Sequence, residues 1–193
     1  MQTSSDNTTT VPLKAGVWKL DPAHSAVVFS IRHLGLSKVR GRFDRFDATL
    51  LVGPSVDDIS VDATVDMASV NTNNDDRDAH VRNTDFFDVD KHPTMRFTST
   101  GLNADDAGAT VKLAGDLTIN GTTKPIVLDV EFGGVEDFRG TNHAGFSVEG
   151  ELRRSDFGID FGAIPMGADK LMLADKVAFE LDLQFVEPAD LEA

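Results

Sequence analysis

The sequence has no cysteine and no tyrosine, a single tryptophan, and only 18 lysines and arginines against 32 aspartates and glutamates. Each shortage removes a class of explanation. Without cysteine there is no disulfide framework, no thiolate nucleophile and no thiolate metal site. The net charge of −14 argues against nucleic acid or an anionic membrane as the main partner and describes a protein with an acidic outer face. No run approaches the ~18 consecutive apolar residues of a membrane span, so no stable membrane insertion is expected. The opening "MQTSSDNTTTVPLKAGVW" lacks both a basic n-region and an apolar h-region. The chain is therefore read as cytoplasmic, or as periplasmic or secreted if a signal peptide has been removed. Residues 1–14 are expected to form a disordered tail, 15–187 a single domain and 188–193 a C-terminal tail.

Catalytic signatures are missing too. The five histidines, His24, His33, His80, His92 and His143, have none of the standard zinc spacings. There is no G-x-S-x-G elbow, no Walker A loop and no G-x-G-x-x-G. "NTNNDDRD" (71–78) matches a calcium loop at three alternating positions but lacks the glycine at the sixth and the closing glutamate. No metal and no cofactor is expected. His24 and His33 lie nine residues apart on one expected strand, about 30 Å if it is straight, which is too far to share an ion. His33 shares the parity of Val27, Phe29 and Ile31 and so points inward, either to orient a polar ligand head or to finish the wall. Arg40, Arg42 and Arg45 beside Asp44 and Asp47 are expected to form exposed ion pairs of under ~1 kcal/mol each, with a head-group or partner contact as the lesser alternative.

What the sequence has in abundance is period two. "ISVDATVDM", "VKLAGDLTI", "IVLDVEF", "FSVEGEL" and "VAFELDLQF" each alternate apolar and polar residues, as half-buried strands of an antiparallel sheet do. "VWKL", residues 21–50 and "TMRFTST" bring the total to eight or nine strands, the pattern of a sandwich or closed barrel. "NGTTKP" (120–125), "NADDAG" (103–108) and "GGVEDFRGTNHAG" (133–145) are expected as loops, the first longer than a two-residue turn. In "NTNNDDRDAHVRNTDFFDVDKHP" (71–93) cap residues and acids precede a short helix that Pro93 stops. Residues 154–173 keep no period and are expected as a long loop carrying apolar groups. The inward set includes Ala63, Gly115 and Gly150, which suit either a lumen with spare volume or a close-packed core with bulges. With 13 phenylalanines and no tyrosine, a lumen would be greasy, with few polar handles.

Several short motifs, weak singly, occur in order along the chain. They are W-x-L-D-x-x-H-S at Trp18, Leu20, Asp21, His24 and Ser25, then H-x-G at His33 and Gly35, and G-x-F at Gly41 and Phe43. "SVNT" (69–72), "RDAHVRNTDFFD" (77–88), "HPTMRFTST" (92–100), "GDLTINGTTKPI" (115–126) and "RSDFGI" (154–159) follow. Together they resemble the YceI family of bacterial lipocalin-like, polyisoprenoid-binding proteins, over about residues 17–186. The resemblance implies an all-β fold, an extended eight-stranded antiparallel barrel with a short helix near one end, commonly a homodimer. It also implies a lumen that binds, sequesters or transports a long apolar amphiphile such as a polyisoprenoid or isoprenoid quinone. The expected lining is Phe29, Phe43, Phe97, Leu117, Ile119, Phe146 and Phe157. Phe86 and Phe87 would close the end beside the helix, Ile164 and Met166 would contribute from the long loop, and His33 would meet the polar head. Two alternatives are an enzyme using the same pocket through His33 with Asp78 or Asp156, and a stress-related protein with a packed lumen.

Overall fold

The computed structural model describes residues 12–104 and 110–188. Residues 1–11 of the expected N-terminal tail, most of the expected 103–108 loop and residues 189–193 lie outside them. Among the described residues are eleven strands and one α-helix: β1 Gly16–Leu20, β2 Ala26–His33, β3 Ser37–Phe43, β4 Phe46–Val52, β5 Ser60–Asp66, β6 Val70–Asn71, α1 Asp75–Arg82, β7 Thr94–Ala104, β8 Thr110–Ile119, β9 Thr122–Phe138, β10 Thr141–Arg153 and β11 Leu173–Val186.

Eight strands close an antiparallel barrel in the order β1-β4-β5-β7-β8-β9-β10-β11, and β1 completes the ring by pairing with β11. β1 is only five residues long, yet it carries two seams: Trp18 opposes Leu50 on β4, and Leu20 opposes Phe185 on β11. Closure removes free edges at the β1 end, while β3, paired with β6 only at Arg42 and Phe43, keeps an edge at the other. Elsewhere along its length β11 pairs instead with β2, which pairs with β3, which touches β6. The barrel is thus narrow at the β1 end and is widened at the other by the β2–β3 hairpin. α1 lies at that wide end, packed on β6. The eight-stranded barrel and terminal helix are those the sequence leads one to expect.

Local chemistry sets the turns. Asn120 and Gly121 both take positive φ, 52° and 74°, and Ile119 opposes Thr122. The expected longer loop is therefore a two-residue hairpin, the turn that Asn-Gly favours most. The expected loop over 133–145 is also strand, because β9 and β10 continue to a turn at Arg139 and Gly140. A register shift at Gly145/Phe146, opposite the Gly133–Gly134 pair, breaks the alternation there and hides the strands. Asn74 caps α1 by accepting from the Arg77 amide at 2.8 Å, and Asp75, Asp76 and Asp78 fall in its first turn, where the helix dipole favours acids. Asp78 is itself buried and accepts from the Thr72 amide (2.8 Å) and hydroxyl (2.6 Å), tying the helix to the end of β6.

Two apolar clusters fill different zones. The larger joins Phe43, Val65, Met67, Phe97, Leu113, Leu117, Leu128, Val148, Phe157 and Ile159 with partly buried Phe29, Phe86, Phe87 and Phe179. The smaller, at the β1 end, joins Trp18, Leu20, Leu50, Val52, Ala144 and Phe185. Leu13 packs against it, and the Trp18 indole donates to the Lys14 carbonyl at 2.8 Å.

Candidate functional site

The larger cluster surrounds a cavity of about 480 Å³, within the size range of small-molecule sites. Its wall comes from nearly every strand. Leu173 and Leu183 on β11 both line it. A bulge between Leu173 and Val177 shortens the ladder, so the span is about eight strand steps, roughly 26 Å of strand or about 20 Å along the axis of a tilted barrel. A sphere of the same volume would be only about 10 Å across, so the space is a tube rather than a ball. Trp18, Leu50, Phe146 and Phe185 do not line it; the β1-end cluster is its floor. His33, Arg77 and Phe161, exposed lining residues at the helix end, mark the mouth; Asp47 on β4 is a further exposed lining residue.

Three glycines shape the wall. Gly41, Gly115 and Gly150 face inward, and a Cβ on each would overlap the ring of Phe29, Phe97 and Phe179, respectively. Phe29 directly opposes Gly41, and Phe179 opposes Gly150. Each ring reaches sideways over its glycine and so does not project across the lumen. The small residues at 115 and 150 therefore leave space indirectly: neighbouring rings fill the glycine positions, and the centre stays open.

Apart from Asp47, polar lining side chains gather at the mouth. His33 ends β2, opposite Leu173, and its imidazole has no hydrogen-bond partner among the described residues. His80 stands edge-on to Phe86 and Phe161, with ring centroids 5.1 and 4.7 Å away, and its Nε2 lies 2.8 Å from Asp85 Oδ2. Phe86 and Phe161 are 5.1 Å apart, so the three rings form an aromatic group at the mouth. Arg77 donates to the Thr72 hydroxyl and carbonyl. Arg154, only 4% exposed, donates to the carbonyls of Ile159, Phe161, Leu173 and Ala174 at 2.6–2.9 Å. Burial lowers its pKa, against the opposing fields of Asp175 and Asp160. Its guanidinium fork holds both ends of the 158–174 segment against the barrel.

Nine of the twelve residues expected to line the lumen do so: Phe29, His33, Phe43, Phe86, Phe87, Phe97, Leu117, Ile119 and Phe157. Three do not. Phe146 packs on Phe132 and Phe185 (centroids 5.3 and 5.9 Å) as part of the floor: it keeps the inward parity of Val148 on the β10–β11 ladder but lies at the β1 end, where the second cluster closes the tube. Ile164 and Met166 are 57% and 49% exposed; the bridge between Pro165 and Leu171 turns that loop away from the cavity. Sequence reasoning missed Phe179, Leu181, Leu183 and Met172. The first three were legible as the inward set of β11, whereas Met172 lies in a segment without period. Arg154 was visible only as part of "RSDFGI".

The acids of the enzymatic alternative are placed elsewhere. Asp78 is occupied by Thr72. Asp156 borders an exterior groove of about 360 Å³ beside Lys124, Glu151, Arg153 and Lys176, where Lys176 pairs with Glu151 at 2.8 Å. Among the described residues no three histidine or acidic side chains converge as metal ligands would. His24 belongs to the β1–β2 corner: its Nδ1 meets Asp21 Oδ2 at 2.8 Å, Ser25 Oγ donates to the Asp21 carbonyl, and the Gln184 amide donates to Ser25 Oγ. The hydrogen bond from His24 holds the Asp21 carboxyl below its ordinary pKa.

The YceI-like domain matches residues 18–185. The chain belongs to the YceI-like family. The YceI protein of Shigella flexneri is 37% identical over 171 residues, 84% of this chain and 87% of that one. The YceI protein of Campylobacter jejuni has a crystal structure that superposes with a TM-score of 0.69 at 34% identity, covering 82% of this chain and 91% of that one. A polyisoprenoid binding domain from Saccharophagus degradans, implicated in plant cell wall breakdown, shares the fold with a TM-score of 0.66 at 17% identity over 89% of this chain and 98% of that one. The motifs at Trp18–Ser25 and 154–159 thus serve the YceI-like fold directly, one as the corner that joins β1, β2 and β11, the other as the anchor of the mouth loop.

Proposed function

We propose that this YceI-like protein binds and carries one long apolar amphiphile, a polyisoprenoid, an isoprenoid quinone or a related lipid, tail inward and head at the helix end. One observation carries the reading: an elongated cavity lined by aliphatic and aromatic side chains, whose polar lining groups, Asp47 on β4 apart, collect at one mouth. Such a tube suits a chain better than a compact polar substrate. Binding a chain needs no specific chemistry along its length, because each buried methylene stabilises by roughly 0.8 kcal/mol. His33, with an unengaged imidazole beside the opening, is positioned to meet a hydroxyl, carbonyl or phosphate. The likeness in fold to a domain described as polyisoprenoid-binding is consistent with this ligand class.

Native mass spectrometry of freshly purified protein, followed by solvent extraction, tests the reading. The expected result is a mass excess that disappears on extraction and an extract containing a long-chain lipid. Protein that carries none, and that added quinone or polyprenol neither binds nor protects against unfolding, would overturn it.

A further inference from the structure

The β2–β3 hairpin has a charge unlike that of the rest of the chain. No aspartate or glutamate lies between Asp21 and Asp44, the longest acid-free run in a sequence of net charge −14. The inward positions Phe29, Ile31, His33 and Val39 line the cavity. The outward positions carry Arg32 opposite Lys38, Ser30 opposite Arg40 and Val28 opposite Arg42, and all four cations are exposed. Arg42 is held by Asp44 at 2.7 Å, whereas Arg32, Lys38 and Arg40 make no ion pair among the described residues. Like charges placed directly across a ladder weaken it, so this arrangement does nothing for the fold.

The tip of the same hairpin is apolar. Leu34 and Gly35 turn at positive φ, 55° and 68°, and Leu36 is 82% exposed. Beside it, the Leu34 amide donates to Met172 O, and the Met172 amide donates to Ile164 O. This brings exposed Ile164, Met166 and Phe161 of the mouth loop to the same end. The apolar groups are bordered by cations on the hairpin side and by Asp160, Asp169 and Lys170 on the loop side. At the opening of a lipid-sized cavity, the apolar tip with its hairpin cations matches the chemistry of a membrane interface. The overall negative charge does not forbid this, since screening over about 8 Å at physiological salt lets the hairpin act locally.

We propose that the β2–β3 hairpin tip docks this protein on an anionic lipid surface, with Leu36 entering the interface and Arg32, Lys38 and Arg40 on the headgroups, so that the cavity mouth opens against the bilayer. A second copy of the chain fits this surface poorly, because a two-fold contact would set the cations against themselves. The proposal extends the carrier reading by saying where cargo is exchanged, but docking is measured without cargo, so the two can fail separately.

The full chain is floated with vesicles of phosphatidylcholine alone and of phosphatidylcholine and phosphatidylglycerol in equal parts. Binding is expected only to the second, and to fall as salt rises. Each cation near an anionic surface strengthens binding about 5-fold, so Arg32→Gln with Lys38→Gln should weaken it about 25-fold, and Leu36→Asp should weaken it further, with melting temperature and bound lipid unchanged. With no native cysteine, Leu36→Cys carries a single polarity-sensitive dye that should shift to the blue on anionic vesicles. Absence of binding, binding that the substitutions leave intact, or a dye shift that depends on protein concentration without vesicles would each overturn the proposal, the last by identifying self-association.

Discussion

Arg154 is the residue on which the mouth loop depends most. Its buried fork satisfies four backbone carbonyls of the mouth segment. Arg154→Met leaves them unpaired and should destabilise by about 3 kcal/mol. In a chain of this size that is roughly a 6–12 °C fall in melting temperature. Arg154→Lys should recover only part, because an ammonium cannot copy the fork. His33 has a different weight. One hydrogen bond contributes about 1 kcal/mol, so wild type should prefer a polyprenol to the hydrocarbon of equal length by about 5-fold. His33→Ala should abolish that preference while retaining the chain. A preference unchanged in His33→Ala would remove this residue from the head site. Of the two histidines in the first hairpin segment, the spacing excluded a shared metal, but only the structure separates the corner role of His24 from the open imidazole of His33. Their odd spacing already sets them on opposite faces of a period-two strand, and His24 lies in the turn Pro22–His24 ahead of β2, not on the strand the sequence led one to expect.

At the scale of elements, the wall is a set of cross-strand pairs in which a glycine receives a neighbour's ring. Gly150→Val places branched carbons where the Phe179 ring lies. The ring must turn into the lumen, at a cost of about 1–3 kcal/mol in strain, and lipid capacity should fall. Combining it with Phe179→Ala should restore capacity, as measured by lipid extracted per mole of protein. If Gly150→Val holds as much lipid as wild type, the ring is not what keeps the lumen open. The strands were legible because one face of each is buried and the other wet, which writes period two into the sequence. The ends of β9 and β10 were not, since the shift beside Gly145 breaks the period and its glycines read as a loop. The short helix was legible from its cap residues and acids, but its bounds were not: the acids expected to precede it form its first turn, and it ends at Arg82 with Asn83 as its cap, not at Pro93. The placement of Ile164 and Met166 was not, because an aperiodic loop says nothing about the direction its side chains take.

For the whole molecule, barrel closure and an unequal pair of ends produce a tube with a floor at Trp18 and a mouth at His33. Whether such a tube is empty could not be read from composition: Gly115 and Gly150 suit a packed core equally well, and only the sideways rings of Phe97 and Phe179 decide between the two. The cationic hairpin is a local exception on an acidic chain, which a net charge averages away. The central claim is that the tube measures out a chain. The most direct test is to titrate delipidated protein with isoprenoid alcohols of rising length, from farnesol through solanesol to undecaprenol, while recording Trp18 fluorescence. At roughly 0.8 kcal/mol per buried methylene, affinity should climb at least tenfold with each early isoprene unit. It should then level off once the tail reaches the floor, and the Trp18 signal should change only at that length. Affinity that is indifferent to chain length, or that rises without limit while Trp18 stays silent, would contradict the account.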